Sequence, residues 1–151
     1  MKIRKMIEED VPTIIGYGSK MHQESYFKNF NFDEKKLYQL WVLIDTNPNY
    51  CALVAEKSDG ELVGFFVGCI TEHWFGNDKV SSDLALYVDP EFRGTSAAIR
   101  LLKGYQTWAE MAGAAEIHIG TSTDINTNQN LSLFQKMGYE IGGTFLRKRS
   151  K

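Results

Sequence analysis

The segment Leu84 to Ala112 constrains the fold of this chain more than any other. Leu84-Ala85-Leu86-Tyr87-Val88 reads as a buried strand, Asp89-Pro90-Glu91-Phe92 as a corner, and Arg93-Gly94-Thr95-Ser96-Ala97-Ala98 as the opening of a helix. That helix is predicted over Ser96 to Ala112. Ala98, Leu101, Leu102, Tyr105, Trp108, Ala109 and Ala112 share one face, Arg100, Lys103 and Glu110 lie off it, and Gly113 ends it. A helix so one-sided must lie on a sheet. At a strand-to-helix junction built of small residues, the first helical N–H groups lack intrahelical partners and the dipole's positive end points outward. The junction therefore predicts a phosphate site.

The remaining chain supplies the sheet. Met1 to Met6 reads as a short first strand, and Asp10 stands as N-cap of a helix that carries Val11, Ile14, Ile15 and Met21. Gly16 and Gly18 weaken that helix, and the polar and aromatic run Met21 to Phe27 suits a lid. Asp33 caps a second helix with Leu37, Leu40, Trp41 and Ile44 at helical spacing, closed by Asn47-Pro48-Asn49. Strands are expected over Tyr50 to Glu56 and Leu62 to Ile70, joined through Asp59-Gly60, a strong hairpin signal. Val80 to Val88 forms the next strand and Glu116 to Gly120 another. After the polar loop Thr121 to Asn128, a short helix covers Asn130 to Lys136. Gly138 to Ile141 and Thr144 to Lys148 complete the expected extended segments.

A chain of 151 residues suffices for one domain, 1–151, burying about two-thirds of its unfolded surface. No apolar run approaches the roughly 18 to 20 residues that span a bilayer, and Met1 to Glu9 lacks the apolar core of a signal peptide, so a cytoplasmic protein without membrane contact is expected. A net charge of −2 argues against general nucleic-acid binding. Cys51 and Cys69 lie in apolar strands without metal or redox spacing and read as buried free thiols, and no metal site is indicated.

Residues Arg93 to Ala98 resemble the pyrophosphate loop of the GNAT N-acetyltransferases, Gln/Arg-x-x-Gly-x-Gly/Ala. Arg93 and Ala98 fit that pattern, and Ser96 departs from it. The segment Leu133-Phe134-Gln135-Lys136-Met137-Gly138-Tyr139-Glu140 resembles a second family motif, and the element order follows the family layout over nearly the whole chain. A softer likeness, through Met21 to Ser25, Phe92 to Thr95 and Trp108-Ala109, is to acetyltransferase-like proteins of tailed phages. The resemblance implies an α/β (α+β) fold: a central mixed, mostly antiparallel sheet of six to seven strands flanked by about four helices. It also implies acetyl-CoA as cosubstrate and transfer of its acetyl group to a primary amine, on a small molecule or a protein, by direct attack with both substrates bound. A homodimer is compatible with it. The alternative is a GNAT-fold module that binds acyl-CoA or a protein partner without transfer.

By the same resemblance, the amides of Gly94, Thr95, Ser96, Ala97 and Ala98, with Arg93, hold the diphosphate. The strand Leu86-Tyr87-Val88 meets the pantetheine arm and lends an N–H to the thioester carbonyl. Phe134 stands where the family's general-acid tyrosine sits and has no proton to give. Asn126, Asn128 and Asn130 compete for the family's asparagine, with Asn128 preferred. The family's strand glutamate falls near Ala85, which cannot act as a base, so Asp83 is the candidate base. His22, Glu24 and Tyr26 in the lid are candidates for the acceptor site, with Glu72 and His73 further candidates for the base. His118, between Ile117 and Ile119, reads as structural.

Overall fold

A computed structural model describes residues 1–150. Five strands form one sheet in the order β1-β2-β3-β4-β5: β1 Lys2–Lys5, β2 Tyr50–Glu56, β3 Leu62–Glu72, β4 Lys79–Val88 and β5 Ala114–His118. Neighbours are antiparallel except β4 and β5, which run parallel because α3, Ala97–Met111, crosses between them. Helices α1, Val11–Glu24, and α2, Glu34–Thr46, cover one face; α3 covers the other, and α4, Thr127–Lys136, packs beside it. The sheet thus has five strands rather than six to seven, with four helices. The difference lies after α4, where Gly138 to Lys148 forms no strand. Ile141, Phe145 and Leu146 stand exposed there, and the expected extended segments meet no sheet partner among the described residues.

Each face of the sheet owns a core. Val11, Ile14, Ile15, Trp41 and Ile44 meet Val54, Phe65, Val67 and Tyr87 on one side. Leu101, Leu102, Tyr105 and Ala109 meet Val63, Phe66 and Val88 on the other. The second face is held tightest: Phe66 and Tyr105 stack with ring centroids 4.2 Å apart, and both are fully buried. Gly68 makes that approach feasible, since a Cβ there would lie 2.8 Å from the Tyr105 ring and 3.0 Å from the Ser82 carbonyl oxygen. Leu101→Ala in such packing costs roughly 3 kcal/mol.

The chain entry to α1 differs from the capping expected of Asp10. Its side chain caps no helix N–H of α1. It accepts from Arg4 Nη1 and Nη2 at 2.7 and 2.9 Å and from the Ile7 N–H at 2.9 Å, and Arg4 also pairs with Glu56. Arg4 holds the Asp10 carboxyl below its ordinary range. The acid therefore ties β1 to the start of α1. The Asp33 cap forms as expected, accepting from Lys35 and Lys36, and the Asp59-Gly60 turn closes with Gly60 at φ +90°. No helix of the described residues is long and apolar enough to cross a membrane.

Candidate active site

The site arises because β4 has two different halves. Lys79 to Ser82 pair with β5, but from Asp83 onward β4 has no partner on that side. The parting coincides with an irregularity: Val67 faces Ala85 and Gly68 faces Asp83, so Leu84 is an extra residue that bends the strand. In a sheet, successive residues aim their N–H and C=O groups at opposite neighbours. About half the peptide groups from Leu84 to Val88 therefore point into the gap where β5 has turned away. A cleft of about 480 Å³ fills that gap, within the usual range for a small-molecule site.

One end of the cleft is made of backbone. Pro90 to Phe92 forms a short 3-10 turn, the Arg93 N–H returns to the Pro90 carbonyl, and Gly94 takes φ +82° with open space where a Cβ would project. The Thr95 hydroxyl donates to the Phe92 carbonyl and accepts from the Ala97 N–H. The N–H groups of Gly94, Ser96, Ala98 and Ile99 find no acceptor among the described residues. These free N–H groups stand at the head of a 15-residue helix, where backbone donors and the helix dipole favour an anion.

Arg93 is engaged elsewhere. Its Nε donates to the Val88 carbonyl at 3.0 Å, its Nη atoms pair with both Glu24 carboxylate oxygens, and the guanidinium lies 5.5 Å from the Tyr87 ring centroid. Glu24, expected at an acceptor site, serves as that partner. Arg93 thus fastens the end of α1 to the end of β4, while its stem lines the cleft.

Side chains make the other end. Asp83 lines the cleft, and its Oδ1 accepts the Gly120 N–H at 2.9 Å. Burial pushes its carboxyl above the ordinary range, against the lowering by that bond. Asp83 shares the α3 face of the sheet with Gly68, its partner on β3, and Tyr105, whereas Met21 and Phe27 line the cleft from α1 and the turn Tyr26–Asn29, and Thr121, Thr123 and Ile125 line it from the loop after β5. Lid and loop are tied together, because the Tyr26 N–H donates to the Thr123 carbonyl at 2.8 Å. In that loop Asp124 and Asn126 adopt left-handed φ of 62° and 48°, a conformation those two residue types tolerate best.

Of the residues singled out from sequence, Asp83, Leu86, Tyr87, Val88, Arg93, Gly94, Thr95, Ala98 and Phe134 line the cleft. Ser96 adds its free N–H without lining it, and Ala97 is fully buried beneath. Phe134 sits between cleft and core, 5% exposed, its ring edge-on to Tyr139 at 6.2 Å. Asn128 is exposed and outside; Asn126 and Asn130 line the cleft, and Asn130 Nδ2 donates to the Ile125 carbonyl at 3.0 Å. His22 faces away, bonded to the Phe30 carbonyl at 2.8 Å and packed on Phe32. Tyr26 contributes backbone, its ring being covered by Arg147. Glu72 and His73 lie at the β3–β4 turn, and His118 pairs with Glu116 on the exposed side of β5. Burial pushes the Cys51 thiol up to about 12 and raises Cys69 also, so neither is a ready nucleophile. Met21 and Phe27, the ends of the expected lid, and Gly120 with Thr121 to Thr123 of the polar loop line the cleft without having been named as site residues; the polar run that follows a strand end in a parallel pair is the signal that points to the last of these.

The profile of the acetyltransferase (GNAT) family matches residues 16–139. The chain belongs to that family. It is a GNAT-type N-acetyltransferase, and the family uses acetyl-CoA. Among solved structures it is similar to a transcriptional regulator from Bacillus halodurans C-125, with 16% identity, TM-score 0.80 and 98% of each chain covered. It is similar also to AAC(6')-Iy in complex with the bisubstrate analogue CoA-S-monomethyl-acetylneamine, at 19% identity and TM-score 0.80, covering 99% of this chain and 97% of that one. A third is glucosamine-6-phosphate N-acetyltransferase from Arabidopsis thaliana, at 16% identity and TM-score 0.77, covering 99% and 98%. No curated protein matches the sequence. At these identities the solved structures establish the fold and not the acceptor.

Proposed function

We propose that this GNAT protein moves an acetyl group from acetyl-CoA to a primary amine in a ternary complex, with Asp83 as the base. One observation carries the reading: a single cleft joins the free amides at Gly94 to Ile99 with the half-buried carboxylate of Asp83, whose pKa burial raises. Acetyl-CoA supplies the activated acyl group as a thioester. The Gly94, Ser96, Ala98 and Ile99 amides hold its diphosphate, and the unpaired edge Leu86 to Val88 receives the pantetheine arm and offers an N–H to the carbonyl. Asp83 takes a proton from the incoming ammonium so that the nitrogen lone pair is free; the C–N bond forms as the C–S bond breaks, and the nitrogen sheds its second proton to water. Phe134 packs beside the arm without donating a proton, so the thiolate leaves unaided or takes its proton from water. The likeness to tailed-phage proteins adds no acceptor.

The alternative, a module that binds without transfer, draws on Phe134, which puts an apolar ring where the family's acid stands, and on Arg93, whose charge is spent on Glu24. Titration of acetyl-CoA with a pool of primary amines, followed by free-thiol release, separates the two. Amine-dependent thiol is expected. Saturable acetyl-CoA binding with no thiol from any amine overturns transfer and leaves the binding module.

A further inference from the structure

Four buried side-chain polar atoms have no hydrogen-bond partner among the described residues, and three of them belong to the α3 face of the sheet. These are Ser81 Oγ and the hydroxyls of Tyr105 and Tyr139; the fourth, the Tyr87 hydroxyl, belongs to the other face. A buried hydroxyl without a partner is destabilising, so three on one face call for a reason.

Backbone register places them around Asp83. Ser81 stands two residues before Asp83 in an even stretch of β4, opposite Ile70 and Gly68 respectively, so both side chains leave the strand on one face. Gly68 lies directly across from Asp83, and a Cβ on it would come within 2.8 Å of Tyr105 Cε2, the ring carbon next to the one that bears the hydroxyl. Tyr105 therefore brings its hydroxyl over the strand position that neighbours Asp83. Tyr139 packs on the same core, edge-on to Phe134.

The groups also act on one another. Burial pushes the Tyr105 phenol up, Ser81 works against that, and Asp83 and Tyr139 raise it further. Burial raises the Tyr139 phenol as well, Gln106 lowers it, and Asp83 and the exposed Glu110 raise it again. Cys69 of β3 is raised by burial and then by Asp83. The His118–Glu116 pair of β5 is exposed, and α4 brings no charged side chain to the cleft. Asp83 thus has no cation beside it: Oδ1 accepts the Gly120 N–H, and Oδ2 has no partner among the described residues.

From this juxtaposition we infer that Ser81, Tyr105 and Tyr139 are positioning residues for the base: across ordered water, their hydroxyls are the donors that hold the Asp83 carboxylate once it is ionised. Water bridges them because no two of these oxygens bond directly. The inference rests on the reading of Asp83 as base and deepens it. Three neutral donors stand where a cation would otherwise be needed, so the carboxylate can form at this half-buried position and still gain a proton from the acceptor ammonium.

The test titrates Asp83 by carbon-13 NMR of aspartate-labelled protein, its signal identified by loss in Asp83→Asn, and records the pH–rate profile of thiol release. Tyr105→Phe and Tyr139→Phe keep the rings and remove the donors, so the Asp83 midpoint is expected to move to higher pH in each. The acidic limb of the rate profile should follow, with the rate on that limb falling about threefold or more. Ser81→Ala, which leaves the Phe66–Tyr105 stack untouched, is expected to act in the same direction should a phenol variant fold poorly. Unpaired hydroxyls with a packing role alone predict the opposite: melting unchanged or higher, and an Asp83 midpoint unmoved in every variant. That result overturns the inference. A midpoint that moves while the rate profile stays put sustains the donors and sinks Asp83 as base. If no amine yields thiol, the transfer reading has failed by itself and the NMR titration still decides.

Discussion

The two ends of the cleft are built from different materials. The first, Gly94 to Ile99, is one continuous stretch of main chain, positioned by the turn before it and the 15-residue helix after it. The rest of the cleft is lined by side chains of α1, β4 and the loop after β5. A main-chain site tolerates changes of side chain that leave φ and access intact, whereas a side-chain site changes with single substitutions. Cofactor recognition should therefore be robust to Ser96, which departs from the loop pattern, while chemistry should hang on single groups such as Asp83.

Asp83→Asn gives the largest contrast. The amide oxygen can still accept from the Gly120 N–H, but the base is gone, so thiol release is expected to fall about 10²-fold or more with CoA affinity kept. The fold should persist or gain. Because burial raises the native pKa of Asp83 above its unfolded value, the folded state favours the neutral acid, and the stability this contributes is lost as pH rises through the native pKa. The asparagine stays neutral at every pH. In the parent, activity should rise with pH through that raised pKa and be lost below it, as the ionised form is the base. Melting curves and a pH–rate profile check both statements. A variant that keeps full turnover, or a parent rate flat across the acidic range, removes Asp83 from the chemistry.

Gly94→Glu attacks the other end. It adds bulk and like charge beside the diphosphate, and it asks a side-chain residue to hold φ +82°, at a cost of about 1 kcal/mol. CoA affinity should drop roughly tenfold or more by calorimetry, since electrostatic repulsion and strain each contribute about 1 kcal/mol or more at such a site. Open space at the Cβ position spares the fold a clash, so it loses only that backbone strain. Ser96→Gly, which keeps the N–H and the small size, should bind CoA like the parent. Unchanged affinity in a folded Gly94→Glu protein would place the diphosphate elsewhere.

This contrast also explains what the sequence discloses. Leu84 to Ala112 is legible because its signals are local: hydrophobic alternation, a Pro corner, small residues and then a helical face. All of these shape the backbone within a few residues of where they occur. The helix is observed at Ala97–Met111 against an expected Ser96 to Ala112. The rest of the cleft depends on contacts across the chain, such as Arg93 with Glu24 and Tyr26 with Thr123, and no local pattern encodes such pairs. His22 and Tyr26 had the right chemistry on the right helix end, yet their side chains are claimed by Phe30 and Arg147. The last strand misled for a related reason. Thr144-Phe145-Leu146 is rich in residues that favour strands, but β propensity expresses itself only where a neighbouring strand supplies the ladder.

Phe134→Tyr probes the boundary between the two ends and should have the smallest effect. The ring is 5% exposed and packed in the core of the α3 face, but it also lines the cleft, so an added hydroxyl has one route to solvent or thiolate. If it takes that route, CoA affinity is retained and turnover rises about tenfold or less. A thiol of pKa near 8.5 leaves tolerably without help, so general-acid assistance yields less here than its usual ~10²-fold. If it turns inward it joins Tyr139, whose hydroxyl is already buried without a partner, and an unsatisfied hydroxyl costs about 1–3 kcal/mol. Turnover and melting temperature measured on the same preparation distinguish the routes: faster turnover at unchanged melting places the thiolate beside residue 134. Lower melting with unchanged turnover assigns Phe134 to packing alone, and the proton then comes from water.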